Sequence, residues 1–174
     1  MNTDPPLSER DPDAWNRHLA EGNARQARKR VCADVLIRDA HDRVLLVDPI
    51  YKPGWDLPGG MAEANEPPHV TARREVHEEL GIDLAIGPLL SVEWVAPHGP
   101  WDDLLAFVFD GGQLAPARVQ EIRIQDSELA AFEFCDDALA RERLPQSMWR
   151  RVAAARSALV GGQVRYLDDR PHWW

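Results

Sequence analysis

The sequence predicts an α/β fold. Three observations support this class: β-rich runs separated by turns, a helix with clear start and stop signals in the middle of the chain, and two helical segments after the last strand candidate. The 174 residues are enough for one domain with its own hydrophobic core. We expect residues 31–174 to form that domain and residues 1–30 to supply a lead and a helix in front of it.

The first half of the chain begins with segments of low apolar content. Residues 1 to about 10 are polar and acidic, so we expect a disordered lead. Residues 11–30 favour a helix, with Trp15 and Leu19 as its small apolar face.

A β-hairpin and a loop are predicted next. The β-rich runs 31–38 and 43–49 flank the turn sequence D-A-H-D, which is typical of a hairpin. Residues 51–60 are dense in proline and glycine around a short strand candidate at 55–57.

The helix predicted over Pro68–Leu80 has signals at both ends. Proline suits a first helical turn, where its missing N–H would be unpaired anyway, and Gly81 is a natural stop. Ala72, Val76 and Leu80 recur at i+4 and form the stripe that would pack on a sheet.

The second half alternates strand and helix candidates. The strand candidates are residues 88–95, 104–109 and 128–134, and the helical segments are residues 136–144 and 145–160. The last helical segment carries an apolar stripe at 4-3-4 spacing that we expect in the core: Met148, Val152, Ala155 and Leu159. Residues 164–174 fit no element.

Three glutamates on the central helix give the strongest chemical signal. At about 100° per residue, Glu75, Glu78 and Glu79 fall within about 100° of one another on one helix face. Such crowded carboxylates repel one another unless a cation or water separates them, and hard cations such as Mg²⁺ and Mn²⁺ prefer oxygen ligands. A solvated helix face is the alternative interpretation.

Residues 60–82 resemble the Nudix box, G-x₅-E-x₇-R-E-U-x-E-E-x-G-U, where U is an aliphatic residue. Every specified position is filled, by Gly60, Glu66, Arg74, Glu75, Val76, Glu78, Glu79, Gly81 and Ile82. The spacing, with the loop WDLPGG before it, favours the box over a solvated face. The resemblance implies the Nudix fold, an α/β/α sandwich with a mixed β-sheet and a loop–helix–loop motif, and a Mg²⁺- or Mn²⁺-dependent hydrolase that cuts a diphosphate linkage.

The resemblance also implies roles for individual residues. Glu75, Glu78 and Glu79 would be catalytic metal ligands. Gly60 would add its backbone carbonyl to the same metal site. The matching pair in the family holds the loop against the helix, and here that pair is Arg74 and Glu66.

The general base differs among family members. Some use a box glutamate, whereas others use an acidic residue on a later loop or strand. The later candidates here are Glu121, Asp126 and Glu128. Glu128, at the start of a strand candidate, has the spacing that best fits the later position, and an exposed strand-edge glutamate is the alternative.

Composition limits the partners. A net charge of −9 disfavours long nucleic acid, whereas a small phosphorylated substrate is compatible because bound metals reverse the local charge. Cys32 and Cys135 are too few for a disulfide framework, so we expect free thiols.

Without a signal-peptide core or a membrane-length apolar run, we expect a cytoplasmic protein with no membrane partner. Whether the chain is a monomer or a homodimer is left open.

The substrate class is predicted in outline. Pro97 follows Gly81 at nearly the spacing found in ADP-ribose pyrophosphatases, which favours a nucleoside diphosphate linked to a sugar or similar group. A nucleoside triphosphate is the second alternative and an RNA 5′ end the third. A non-catalytic nucleotide-binding Nudix module is a further alternative, disfavoured because every box glutamate is kept. Trp101, for base stacking, and Lys52, for a phosphate, are the substrate-binding candidates.

Overall fold

A computed structural model describes residues 5–168 as a mixed β-sheet with helices on both faces. Its strands are β1 (Arg30–Asp39), β2 (Val44–Pro49), β3 (Gly59–Met61), β4 (Leu89–Val95), β5 (Leu104–Leu114), β6 (Leu129–Cys135) and β7 (Arg165–Asp168). Its helices are α1 (Leu7–Arg10), α2 (Pro12–Arg25), α3 (Pro68–Leu80), α4 (Pro116–Val119), α5 (Asp137–Arg143) and α6 (Gln146–Gly161).

Strand β1 lies in the middle of the sheet and carries the glycine-rich segment at its edge. The strand order is β6–β2–β1–β5–β4–β7, and β5 runs parallel to β1. On its other side, β1 pairs with β2 near Arg38 and with β3 between Cys32 and Asp34, antiparallel in both cases. The first half of β1 therefore holds β3 in place, and β2 continues the sheet beyond it.

The two faces of the sheet are covered by different helices. Along β1, Ala33, Val35 and Ile37 belong to the cluster that packs under α3, and Leu36 belongs to the cluster under α5 and α6. This alternation follows from the two-residue period of a strand. The fold is the predicted α/β/α sandwich with a mixed sheet.

The N-terminal predictions are partly wrong. Leu7–Arg10 forms α1 where we expected a disordered lead, and the first four residues of that lead lie outside the described residues. Helix α2 ends at Arg25 rather than at residue 30, because the chain becomes extended before entering β1. No residue of α2 is buried, so Trp15 and Leu19 do not pack into the core as an apolar face.

The predictions for the central and C-terminal parts of the chain agree better with the structure than those for the N-terminal part. The hairpin and the later strands form, and α3 begins and ends as predicted, with Gly81 in the left-handed conformation at φ 67°. The strand candidate at 55–57 is reduced to one bridge between Asp56 and Val47. Neither α4 nor β7 was expected; β7 uses the start of the unassigned tail, and residues 169–174 lie outside the described part.

Two further expectations concern thiols and membranes. Cys32 and Cys135 are free and buried, as predicted. Between residues 5 and 168, every helix is too short or too polar to cross a bilayer.

A buried ionic network links β1 and β4 to α6. Arg151 donates from Nη1 to Asp34 Oδ2 at 3.0 Å and from Nε to Glu93 Oε2 at 2.8 Å. All three residues are buried, and Arg150 adds a second guanidinium to Glu93. Burial raises the pKa of Asp34, while the Arg151 charge acts in the opposite direction. Arg151 therefore compensates Asp34 and shares the compensation of Glu93 with Arg150.

We predict that Arg151→Met lowers the free energy of unfolding by about 3–5 kcal/mol at pH 8, because two buried carboxylates lose their shared partner. The loss should shrink at pH 5. The pKa of Asp34 is raised in the folded protein, so this group lowers the folding stability as the pH rises through that pKa. At low pH Asp34 is protonated, and no unpaired charge is left when Arg151 is removed. Urea denaturation at both pH values measures this.

Arg156→Met on the same helix is the matched control. Its partners Asp42 and Asp137 are half exposed, so its loss should stay below about 1 kcal/mol. Equal losses for the two variants, or no pH dependence for Arg151→Met, would contradict the role of the network.

Candidate active site

The two glycines of β3 lie directly against two glutamates of α3. The backbone N–H of Gly59 donates to Glu79 Oε2 at 3.0 Å, and a Cβ added to Gly60 would come within 2.6 Å of the Glu75 carboxyl group. Gly59 has φ 148°, and a Cβ there would lie 2.4 Å from the Ala33 carbonyl oxygen. Only glycine allows this contact between strand and carboxylates.

Arg74 connects the helix to the loop before it. Its Nε and Nη2 bind the two carboxylate oxygens of Glu66, each at 3.0 Å, and Nη2 also donates to the Met61 carbonyl at 3.1 Å. Its Nη1 lies 2.8 Å from Glu75 Oε1 and 2.9 Å from Glu78 Oε2. One guanidinium thus holds three box glutamates and the end of β3 together.

Glu66 is the fixed point of the loop. Besides the bidentate arginine, it accepts hydrogen bonds from Thr71 Oγ1 at 2.8 Å and from the Glu63 backbone N–H at 3.0 Å. Hydrogen bonding from Arg74 lowers the pKa of Glu66 to about 2, and the other two donors act in the same direction. The carboxylate is therefore ionised throughout the ordinary pH range and keeps the loop closed on the helix.

Glu75 and Glu79 are crowded together in a partly buried place. Burial and the charges of Glu75, Asp34 and Asp56 together raise the pKa of Glu79 to about 8, although the hydrogen bond from Gly59 acts in the opposite direction. Burial also raises the pKa of Glu75, although the Arg74 charge opposes it. This part of the molecule has more carboxylates than its own cations neutralise.

The donor set fits a hard divalent cation. Within residues 5–168, no three His, Cys, Asp or Glu side chains are already arranged as metal ligands. Nevertheless, the carboxylates of Glu75 and Glu79 flank the glycine pair, so the Gly60 carbonyl can join a set of oxygens of the kind that Mg²⁺ and Mn²⁺ prefer. Glu78 is more exposed and contacts Arg74, so it would have to exchange that contact to join them.

Glu128 lies just before β6 and beside the end of β2. Its backbone N–H binds Asp126 Oδ1 at 2.8 Å, and its carbonyl accepts from Ile50 N at 2.8 Å, next to Tyr51. Burial raises the pKa of Tyr51, and the charges of both Glu128 and Glu79 act on the same hydroxyl in that direction. The charges of Glu128 and of the box residue Glu79 thus both act on Tyr51.

Glu121, another acidic candidate, and Lys52, the candidate for a phosphate contact, both form ion pairs within the protein. Glu121 forms an ion pair with Arg118 on the surface. Lys52 binds Asp56, and although burial acts to lower the pKa of this lysine, the Asp56 charge raises it overall. Lys52 therefore stays charged beside the carboxylate cluster.

Trp101 lies in the loop between β4 and β5, on the side where β1 begins. It is 55% exposed, and the Arg30 guanidinium carbon lies 4.5 Å from its ring centroid. It is thus close to the loop that follows β3, rather than to Glu128.

Sequence reasoning missed the charged residues beneath the glycine pair. Asp34 lies inside the apolar run 31–37 of β1, and a Cβ on Gly59 would approach its Oδ1 to 2.9 Å. Arg151 lies three residues after Met148, on the apolar side of α6. A charged residue inside an apolar strand or stripe was the available signal, and neither residue belongs to the box.

Comparisons with known proteins agree with this fold. The NUDIX domain family profile matches residues 28–155. An uncharacterized Nudix hydrolase of Pseudomonas aeruginosa is 35% identical over 112 residues, which cover 55% of this chain and 62% of that protein. The matched region thus spans less than two thirds of that relative.

Solved structures show the same architecture at low identity. The NUDIX domain of Shewanella oneidensis NrtR, crystallised with ADP ribose, is 20% identical, with a TM-score of 0.66 over 83% of this chain and 97% of that one. A UDP-X diphosphatase is 20% identical, with a TM-score of 0.65 over 89% and 74%. The MutT protein of Methanosarcina mazei Go1 is 21% identical, with a TM-score of 0.63 over 79% and 99%.

The complete box, the packing of its carboxylates on the glycine pair and the match over residues 28–155 agree with one another. This chain belongs to the Nudix hydrolase family.

Proposed function

We propose that this chain is a divalent-metal-dependent pyrophosphohydrolase. Its substrate is a nucleoside diphosphate linked to another group, of the ADP-ribose or nucleotide-sugar type. Water attacks one phosphorus of the diphosphate linkage, and the bond from that phosphorus to the bridging oxygen breaks, so that this oxygen leaves on the other phosphate. Nudix proteins act on small nucleotide-type substrates and generally use divalent metals, so the class is in keeping with the family.

The observation that carries the proposal is the carboxylate pair on the glycine strand. Glu79 accepts from Gly59 N–H, and Glu75 fills the space that a side chain at Gly60 would need. Burial raises the pKa of both carboxyl groups, so the folded protein holds them at a cost that a bound cation would offset.

Glu75, Glu79 and the Gly60 carbonyl would hold the Mg²⁺ or Mn²⁺, joined by Glu78 after it exchanges its contact with Arg74. When bound, the cation would neutralise charge on the non-bridging phosphate oxygens. Arg74 contributes by binding Glu66 and the Met61 carbonyl, which holds the loop and the end of β3 against α3.

Glu128 is the proposed general base. It lies just before β6, its carbonyl bonded to Ile50 next to Tyr51, and its charge acts on Tyr51 as that of Glu79 does. From there its carboxylate would take the proton of the water that attacks phosphorus. Lys52 can pair with a non-bridging oxygen by exchanging its bond to Asp56, which supplies positive charge on the same side. With Glu128 as the base, none of the metal-binding carboxylates also has to accept the proton.

The linked nucleoside diphosphate is preferred over the alternatives for two reasons. The position of Pro97 favours it, and structural relatives include one protein crystallised with ADP ribose and one named as a UDP-X diphosphatase. A nucleoside triphosphate is the second candidate.

Turnover by wild type and Glu79→Gln on one substrate panel tests the function. We predict Mg²⁺-dependent hydrolysis of ADP-ribose or a nucleotide sugar by wild type, above that of nucleoside triphosphates, and loss of turnover in folded Glu79→Gln, because the amide keeps the shape but removes a ligand charge. Phosphate release in a phosphatase-coupled assay measures this. Glu142→Gln, an exposed change on α5, is the control and should behave as wild type.

Two results would overturn parts of this assignment. Near-normal turnover by Glu79→Gln would remove that residue from the metal site. A wild-type protein that binds nucleotides but hydrolyses none would be a non-catalytic Nudix module.

We predict that Glu128→Gln lowers kcat about 10²–10⁴-fold, the usual contribution of a general base. The apparent Mg²⁺ affinity should change little, because the residue is not in the proposed metal set. Steady-state kinetics across a Mg²⁺ series separates the two effects. A loss below about tenfold would return the base role to a box glutamate, and Glu121→Gln, whose residue pairs with Arg118 on the surface, serves as the control.

We predict that Mg²⁺ or Mn²⁺ raises the Tm of the metal-free protein, and more so at pH 8 than at pH 5. The raised pKa of Glu79, about 8, means that the metal-free fold loses stability as the pH rises from the ordinary carboxyl range toward that value. A cation stabilises the ionised form, whereas protons compete with it at low pH.

Calorimetric scans with and without metal at both pH values test this. A variant with Glu75, Glu78 and Glu79 all changed to Gln should show no metal-induced shift. A shift that survives in that variant, or that is absent in wild type at pH 8, would contradict the proposed site.

A further inference from the structure

A cleft lies at the start of β1, next to the loop that Arg74 and Glu66 hold against α3. It has a volume of about 420 Å³ and lies between Lys29–Val31 on one side and residues 61–66 on the other. Its walls share Met61 and Glu66 with the contacts of Arg74, so this cleft adjoins the proposed metal site. None of the roles proposed above uses its residues toward a ligand.

Arg30 is the cation that faces this cleft without a carboxylate partner. Among residues 5–168, no Asp or Glu oxygen lies within ion-pair distance of its guanidinium, whereas the adjacent Lys29 is paired with Asp103. Its recorded contacts are weak: the Asp102 carbonyl at 3.3 Å from Nη1 and the Met61 sulfur at 4.0 Å from Nη2. The positive charge is therefore available to an anion from outside.

Trp101 fixes the orientation of that guanidinium. The guanidinium carbon lies 4.5 Å from the indole centroid, a distance at which the flat cation is attracted to the ring face. A guanidinium backed by an aromatic ring keeps its N–H donors in the plane free for a phosphate. Trp101 then serves chiefly to orient Arg30 rather than to stack on a base.

The strand pairing gives the distance to the metal site. Gly60 pairs with Ala33, and Ala62 N donates to the carbonyl of Val31, so Arg30 lies three residues along β1 from the level of Gly60. At about 3.3 Å per residue, this is about 10 Å. A phosphate held at Gly60 would have its neighbouring group within reach of Arg30.

We propose that Arg30, oriented by Trp101, is a substrate-binding residue. It contacts the second phosphate of the diphosphate linkage, the one next to the phosphate held at Gly60, and the cleft beside Arg30 receives the group attached to that second phosphate. This inference rests on the proposed function, since it assigns the second half of the same substrate. Arginine suits the role because its planar donors match phosphate oxygens in a bidentate manner.

Binding of ADP and AMP, measured by titration calorimetry in Mg²⁺, tests the inference without requiring turnover. Arg30→Gln should weaken ADP binding about 10- to 100-fold, the effect of a lost charge-assisted contact, and AMP binding less than about 3-fold. Arg30→Lys should fall in between, because it keeps the charge and loses the fork. Trp101→Leu should cost ADP binding about 2- to 5-fold, and Trp101→Phe less.

Arg17→Gln, an exposed arginine on α2, is the matched control and should bind both nucleotides as wild type does. Unchanged ADP affinity in folded Arg30→Gln would overturn the inference, as would equal losses for ADP and AMP or a wild type that does not prefer ADP. If wild type binds ADP more tightly than AMP and this preference depends on Arg30, the phosphate contact is supported even when no substrate is hydrolysed. Failure of the proposed hydrolysis can therefore be told apart from failure of the proposed Arg30 contact.

Discussion

The contact between the glycine pair of β3 and the carboxylates of α3 is the constraint on which the rest of this site depends. A backbone without side chains at Gly59 and Gly60 lets Glu79 and Glu75 approach the strand, one through an N–H bond and the other by direct packing. That approach concentrates negative charge where water is partly excluded, and burial raises the pKa of both groups. The ionised forms of these two carboxyl groups are therefore unfavourable in the protein without a cation.

Two arginines keep this concentration of charge compatible with a stable fold. Arg74 holds Glu66, Glu75 and Glu78 from the loop side, where the partners are partly solvated. Arg151 acts from the opposite side of the sheet and compensates Asp34, which lies under Gly59. The site is thus supported by one arginine within the box and by one from α6. Removing an interior partner costs more than removing a solvated one.

The arrangement also explains why the proposed base and substrate residues come from separate loops. Strand β1 holds β3 along its first half, so the carboxylates lie at one end of the sheet, where the loops before β1, after β2 and before β6 also meet. Glu128 and Tyr51 approach from the β2–β6 side, and Arg30 and Trp101 from the β1–β5 side. The diphosphate linkage would lie between two groups of residues that share no local sequence pattern.

The sequence by itself determined the elements whose signals are local. The helix Pro68–Leu80 begins at a proline and ends at Gly81, and the box spacing identifies the glutamates, because helical period and end signals act within a few residues. It did not determine that Leu7–Arg10 is helical, that the strand lies at Gly59–Met61 rather than at 55–57, or that β7 forms, because short elements take their stability from partners far away in the chain. The pairing of Asp34 with Arg151, the position of Glu128 beside Tyr51 and the stacking of Arg30 on Trp101 were decided only by the tertiary structure. Each joins residues on separate elements, and burial and charge act through space rather than along the sequence.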